Sequence, residues 1–66
     1  MMIVYKREMG CWNKVGTISD RDTVKEISTE IRKLESPYLF NHHDYMVEPY
    51  TGDWKMYFTD GKIDQF

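Results

Sequence analysis

The stretch Trp54–Phe66, WKMYFTDGKIDQF, decides the fold. Asp60-Gly61 stands between two runs of strand-forming residues. An Asp-Gly pair in that setting is the strongest short-range hairpin signal, because the two-residue turn demands left-handed backbone that these residues tolerate. A turn at 60 and 61 sets Phe58 opposite Ile63 and Tyr57 opposite Asp64, so apolar groups share one face and polar-tipped groups the other. The alternation predicts Trp54, Met56 and Phe58 inward and Lys55, Tyr57 and Thr59 outward. Lys62–Phe66 is then the partner strand.

Upstream, Thr51-Gly52-Asp53 separates this hairpin from a further strand, Tyr45–Tyr50. Pro49 cannot donate a ladder hydrogen bond, which predicts that this strand lies at a sheet edge or ends early. At the other end of the chain, residues 2–8 (MIVYKRE) and 11–18 (CWNKVGTI) are rich in β-branched and aromatic residues. With Met9-Gly10 as the turn they form an N-terminal hairpin in which Tyr5 lies across from Lys14 and Arg7 across from Trp12.

Between the two hairpins the period changes. Val24, Ile27, Ile31 and Leu34 recur at three and four residues, Thr23 and Glu26 have capping-box spacing, and acidic residues lead while Arg32 and Lys33 close. This predicts an amphipathic helix over residues 20–35, ended by Ser36-Pro37 because the residue before proline is steered out of the α region. The order is ββαβββ, a single α+β domain over residues 1–66: a small antiparallel sheet of four to five strands with one amphipathic helix on one face. The other face stays open and is the expected place for binding.

Sixty-six residues lie near the lower size limit for a self-sufficient core. Leu, Ile, Val and Phe are sparse, so two Trp, five Tyr and five Met must supply much of the apolar bulk. The net stability of so small a core is about 3–5 kcal/mol, which oligomerisation or partner binding would raise. Cys11 is the only cysteine, excluding an intramolecular disulfide, and its place between Gly10 and Trp12 predicts a small buried thiol. The segment MMIVYKREMGCW lacks the apolar stretch of a signal peptide, and no run approaches transmembrane length, so a soluble, cytoplasmic protein is expected. Net charge is −2, with the second half of the chain distinctly acidic.

Phe40-Asn41-His42-His43-Asp44-Tyr45 gathers the groups able to do chemistry near neutral pH. Adjacent histidines in extended backbone point to opposite sides, and neither H-x₃₋₅-H nor C-x₂-C spacing occurs. Further metal ligands would have to come from Asp44, Glu48, Asp53 or Cys11 through the fold. The four glycines are isolated, so no phosphate-binding loop is present, and no nucleophile-base pair is recognisable. The expectation is a non-enzyme without cofactor or metal, with this segment forming the loop between helix and C-terminal sheet.

Two binding readings remain. Aromatic surface exceeds what one sheet-on-helix core encloses, and Tyr38, His42, Tyr50 and Tyr57 are the expected protein-contacting residues, with Leu39 and Phe40 wrapping the core edge. This makes the chain a protein-binding module, an inhibitor, adaptor or regulator that occupies a partner's surface, with homodimerisation through an edge strand or the open face as a variant. Small proteins of viruses and mobile elements share this build, an association of composition only. The alternative is nucleic-acid binding by Tyr5, Arg7, Trp12 and Lys14, where rings and cations alternate on the first hairpin. An overall basic footprint is lacking. The carboxylates of the second half, imitating phosphates, are too few to favour a DNA mimic.

Overall fold

The computed structural model describes residues 1–64. Its elements are β1 (Met2–Glu8), β2 (Cys11–Ile18), α1 (Val24–Leu34), α2 (Pro37–His42), β3 (Tyr45–Pro49), β4 (Met56–Thr59) and β5 (Lys62–Asp64). The strands form one antiparallel sheet in the order β2-β1-β3-β4-β5. Residues 65 and 66 of the expected last strand lie outside the described residues.

Both hairpins turn where the sequence places them. Tyr5 pairs with Lys14 and Arg7 with Trp12. Phe58 pairs with Ile63 and Tyr57 with Asp64. The turns are alike: Met9 and Gly10 have φ of 53° and 80°, Asp60 and Gly61 have 50° and 80°, the left-handed pair of a two-residue hairpin. The β1–β2 ladder shifts register between Val4 and Tyr5, leaving Val15 as an extra residue on β2.

Pro49 closes β3, and of the two expectations it raised, early termination is the one observed. β3 is the middle strand rather than an edge, since a proline at a strand's last position leaves the preceding N–H groups free to pair on both sides. β4 begins only at Met56. Trp54 falls in the preceding loop, after a turn in which the Gly52 N–H donates to the Pro49 carbonyl, and is exposed rather than inward-pointing.

α1 begins later than expected. Residues 20–22 precede Thr23, whose Oγ1 accepts the Glu26 N–H at 3.2 Å and donates to the Glu26 carboxylate at 2.9 Å. Ile27 and Ile31 are buried from this helix, with Val24 partly so. Leu34 leans over β2 at Gly16, where a Cβ would come within 3.0 Å of a Leu34 methyl.

Ser36-Pro37 both ends α1 and starts a second helix. The Ser36 hydroxyl accepts the Leu39 N–H at 3.1 Å, and Pro37 occupies the first turn, where its missing N–H costs nothing. The segment Phe40–Tyr45, expected as a loop, therefore begins as the second half of α2 and ends on the first residue of β3. It delivers Phe40 into the core, where the ring meets Tyr45 and Phe58 at centroid distances of 5.6 and 5.3 Å. Arg32 of α1 lies over the Phe40 ring, its Cζ 4.9 Å from the centroid, tying the two helices together.

The core of Met2, Val4, Ile18, Ile27, Ile31, Phe40, Tyr45, Val47 and Phe58 lies between the helices and one sheet face. At its edge the buried Tyr45 hydroxyl donates to Glu35 at 3.1 Å, and Lys6 Nζ lies 3.6 Å from the same carboxylate. Burial and the Glu35 charge push the Tyr45 phenol well above its usual range. Among the described residues no buried side-chain nitrogen or oxygen lacks a partner.

Candidate binding face

Strand alternation sends Ile3, Tyr5 and Arg7 of β1, Trp12 and Lys14 of β2, Met46 and Glu48 of β3, and Tyr57 of β4 to the face away from the helices. One row across that face is Lys14, Tyr5, Met46, Tyr57, paired strand to strand. Trp12 and Tyr57 stand on strands with two others between them, so their backbones are about 14 Å apart. Their ring centroids nonetheless lie 5.9 Å apart at a 51° tilt. The two side chains lean toward each other over the middle strands, and Met46 beneath is only 7 % exposed.

This face is thus a second, thinner apolar layer with one side in solvent. Trp12 is 37 % exposed, Tyr5 and Tyr57 are half-buried. The Tyr5 hydroxyl donates to Glu48 at 3.0 Å, and that hydrogen bond, with burial and the carboxylate's charge, raises the phenol's pKa. Arg7 lies 3.9 Å from Asp44. Lys14 and Lys62, exposed at the margin, have no carboxylate partner among the described residues.

The four residues expected to contact nucleic acid, Tyr5, Arg7, Trp12 and Lys14, fall together on this one surface. Those expected to contact protein do not. Tyr57 joins the open face beside Trp12, Tyr50 is exposed in the loop after β3, and Tyr38 and His42 stack at 4.3 Å on α2. Sequence reasoning left out Met46 and the hairpin tip, Met9. Period-two alternation from Tyr45 puts Met46 opposite to the core, a signal that was present.

The histidines have a structural use. His42 Nδ1 lies 2.8 Å from the Tyr38 carbonyl and His43 Nδ1 3.1 Å from that of Leu39. A carbonyl only accepts, so each Nδ1 carries its proton and donates it back to the carbonyl four residues earlier, folding both rings against α2. Among the described residues no three His, Cys, Asp or Glu side chains gather as a metal site. Cys11 is exposed rather than buried, because its strand position borders the turn at the uncovered end of β2. No described helix is long and apolar enough to cross a membrane.

No family model matches the chain, and no curated protein or solved structure is found similar to it.

Proposed function

We propose that this chain is a protein-binding module, an inhibitor, adaptor or regulator that occupies a partner's surface through the open face of its sheet. The observation that carries the reading is the Trp12–Tyr57 contact spanning two strands over Met46. Two large rings held over a methionine present apolar area already ordered, so little side-chain entropy is lost when a partner covers it. Arg7 and Lys14 at the margin suit a polar rim, where charge directs encounter and register. The proposal assigns the chain no catalytic step and no cofactor. It fits a cytoplasmic setting, in which an exposed lone thiol such as Cys11 stays reduced.

The test is capture of a partner from the native cytosol, followed by titration with the purified partner. Replacing Trp12 and Tyr57 together by Ala is expected to weaken binding at least tenfold, while Tyr38→Ala and His42→Ala leave it within threefold. The reverse pattern would move the site to α2. Self-association belongs to the same test: sedimentation that stays monomeric at high micromolar concentration removes the homodimer.

A second reading has its own support, the convergence of Tyr5, Arg7, Trp12 and Lys14 on this face. Single-stranded nucleic acid would stack on the rings and run its phosphates past the cations. Oligo(dT) and oligo(U) titrations at two salt concentrations separate the readings. Submicromolar binding with a steep salt slope, weakened by Arg7→Ala and Lys14→Ala, would replace the protein partner with a nucleic acid.

A further inference from the structure

We infer that Met9, at the tip of the β1–β2 hairpin, is a contact residue that enters an apolar pocket of the protein partner, an inference that rests on the protein-binding reading above. The chain supplies its own reference. Its two hairpins use the same two-residue turn with nearly equal angles, and at the first turn position one has Asp60 (φ 50°) and the other Met9 (φ 53°). Asp and Asn tolerate left-handed backbone because their short polar side chains bond locally. Methionine has no such compensation.

Its solvent environment is equally unfavourable. Met9 is 102 % exposed, more than any other large apolar side chain among the described residues. One residue is therefore poorly suited both to its backbone and to its surroundings, at a position where Asn would suit both. A partner that buries the side chain offsets both costs, and the unbranched, polarisable thioether adapts to an irregular pocket.

The shape of the tip specifies the partner's side. A side chain open to solvent all round is fully buried only by a concave site, since a flat surface covers one side of it. Charge argues for protein over a phosphate-bearing surface. Glu8, half-exposed, immediately precedes Met9, and Asp44 and Asp60 lie at the same end of the sheet. Of the cations there, Lys6 is paired with Glu8 and Glu35 and Arg7 with Asp44, which leaves only Lys62, on the far edge strand β5, without a carboxylate partner among the described residues. Trp12 pairs with Arg7, two residues or about 7 Å along the strand from the tip, so the pocket would continue the interface that covers the rings.

The experiment has two arms on the full chain. In the first, Met9→Asn raises Tm by about 4–8 °C, the shift that relief of one unfavourable turn residue gives in a domain of this size. An unchanged or lower Tm overturns the inference. In the second, a photo-cross-linking amino acid at position 9 captures the partner from cytosol, and the purified partner is titrated with wild type, Met9→Leu and Met9→Asn. Met9→Asn is expected to bind at least tenfold more weakly, the loss that one buried methionine side chain implies, while Met9→Leu stays within threefold. Equal affinity for Met9→Asn overturns the inference, as does cross-linking only to a second copy of the chain or binding of wild type to phosphatidylserine vesicles that Met9→Asn abolishes. If the Trp12/Tyr57 double variant loses binding while Met9→Asn keeps it, the open-face reading stands and the tip contact falls. If both variants bind as wild type does, both readings fall.

Discussion

Gly61→Ala and Gly10→Ala place the same change in the same turn position, with φ 80° in both cases, yet the two sites differ in what a new methyl group meets. At Gly10 nothing lies within 4 Å of the added Cβ. At Gly61 it would sit 2.5 Å from Asn41 Oδ1 and 3.3 Å from Asn41 Cα. The left-handed backbone costs each variant about 1–2 kcal/mol. The Asn41 amide is exposed and can swing away, but its Cα moves only if the end of α2 moves, which adds about 1–2 kcal/mol at Gly61. A domain with about 3–5 kcal/mol in hand tolerates the first variant and is nearly unfolded by the second. Urea denaturation followed by Trp fluorescence measures both, and Asn41→Ala in the Gly61→Ala background should recover part of the difference. Costs equal within about 0.5 kcal/mol would refute the docking of α2 on the β4–β5 turn, given that additive sites agree to about that margin.

Other substitutions probe the core and its polar edge. Ile31→Ala, wholly buried on α1, should cost about 2–5 kcal/mol and leave little folded protein by circular dichroism. Ser28→Ala on the same helix should change stability by under about 0.5 kcal/mol, because its hydroxyl only returns to the Val24 carbonyl. Glu35→Ala strands the buried Tyr45 hydroxyl and takes a partner from Lys6, a loss of about 1–3 kcal/mol that should shrink in a Tyr45→Phe background. For pH, the Tyr45 phenol holds its proton in the folded state above the 10.0 of the open chain. Its contribution is fully present below pH 10 and declines as pH rises beyond it, by about 1.4 kcal/mol per pH unit. Tm measured from pH 9 to 11.5 should fall less steeply for Tyr45→Phe.

What the sequence disclosed was local. Asp60-Gly61 and Met9-Gly10 set both hairpin registers because a two-residue turn leaves the flanking pairs no freedom. The Val24–Leu34 stripe with Thr23 ahead of it revealed α1. Six residues were too few for α2 to show a period, and Ser36-Pro37 carries a stop and a start in one dipeptide. Strand order depends on contacts far apart in the chain, so Pro49 alone could not place β3 in the middle of the sheet. The same limit governed the candidate site. Tyr5–Lys14 and Arg7–Trp12 follow from one turn, whereas the meeting of Trp12 with Tyr57 requires all of the intervening topology.

The strand order also governs how the molecule is made and unmade. Each hairpin closes over a two-residue turn, but the sheet exists only when β1 finds β3 across some forty intervening residues. That seam closes the longest loop, joins the two hairpins and runs through Val4 and Val47, both fully buried. This topology predicts that folding is the late meeting of two quickly formed halves, with α1 and α2 as the connection that must settle between them. Native hydrogen exchange should show the reverse order, with the short β5 opening at little cost and the amides bonded along β1 and β3 exchanging only when the whole domain unfolds.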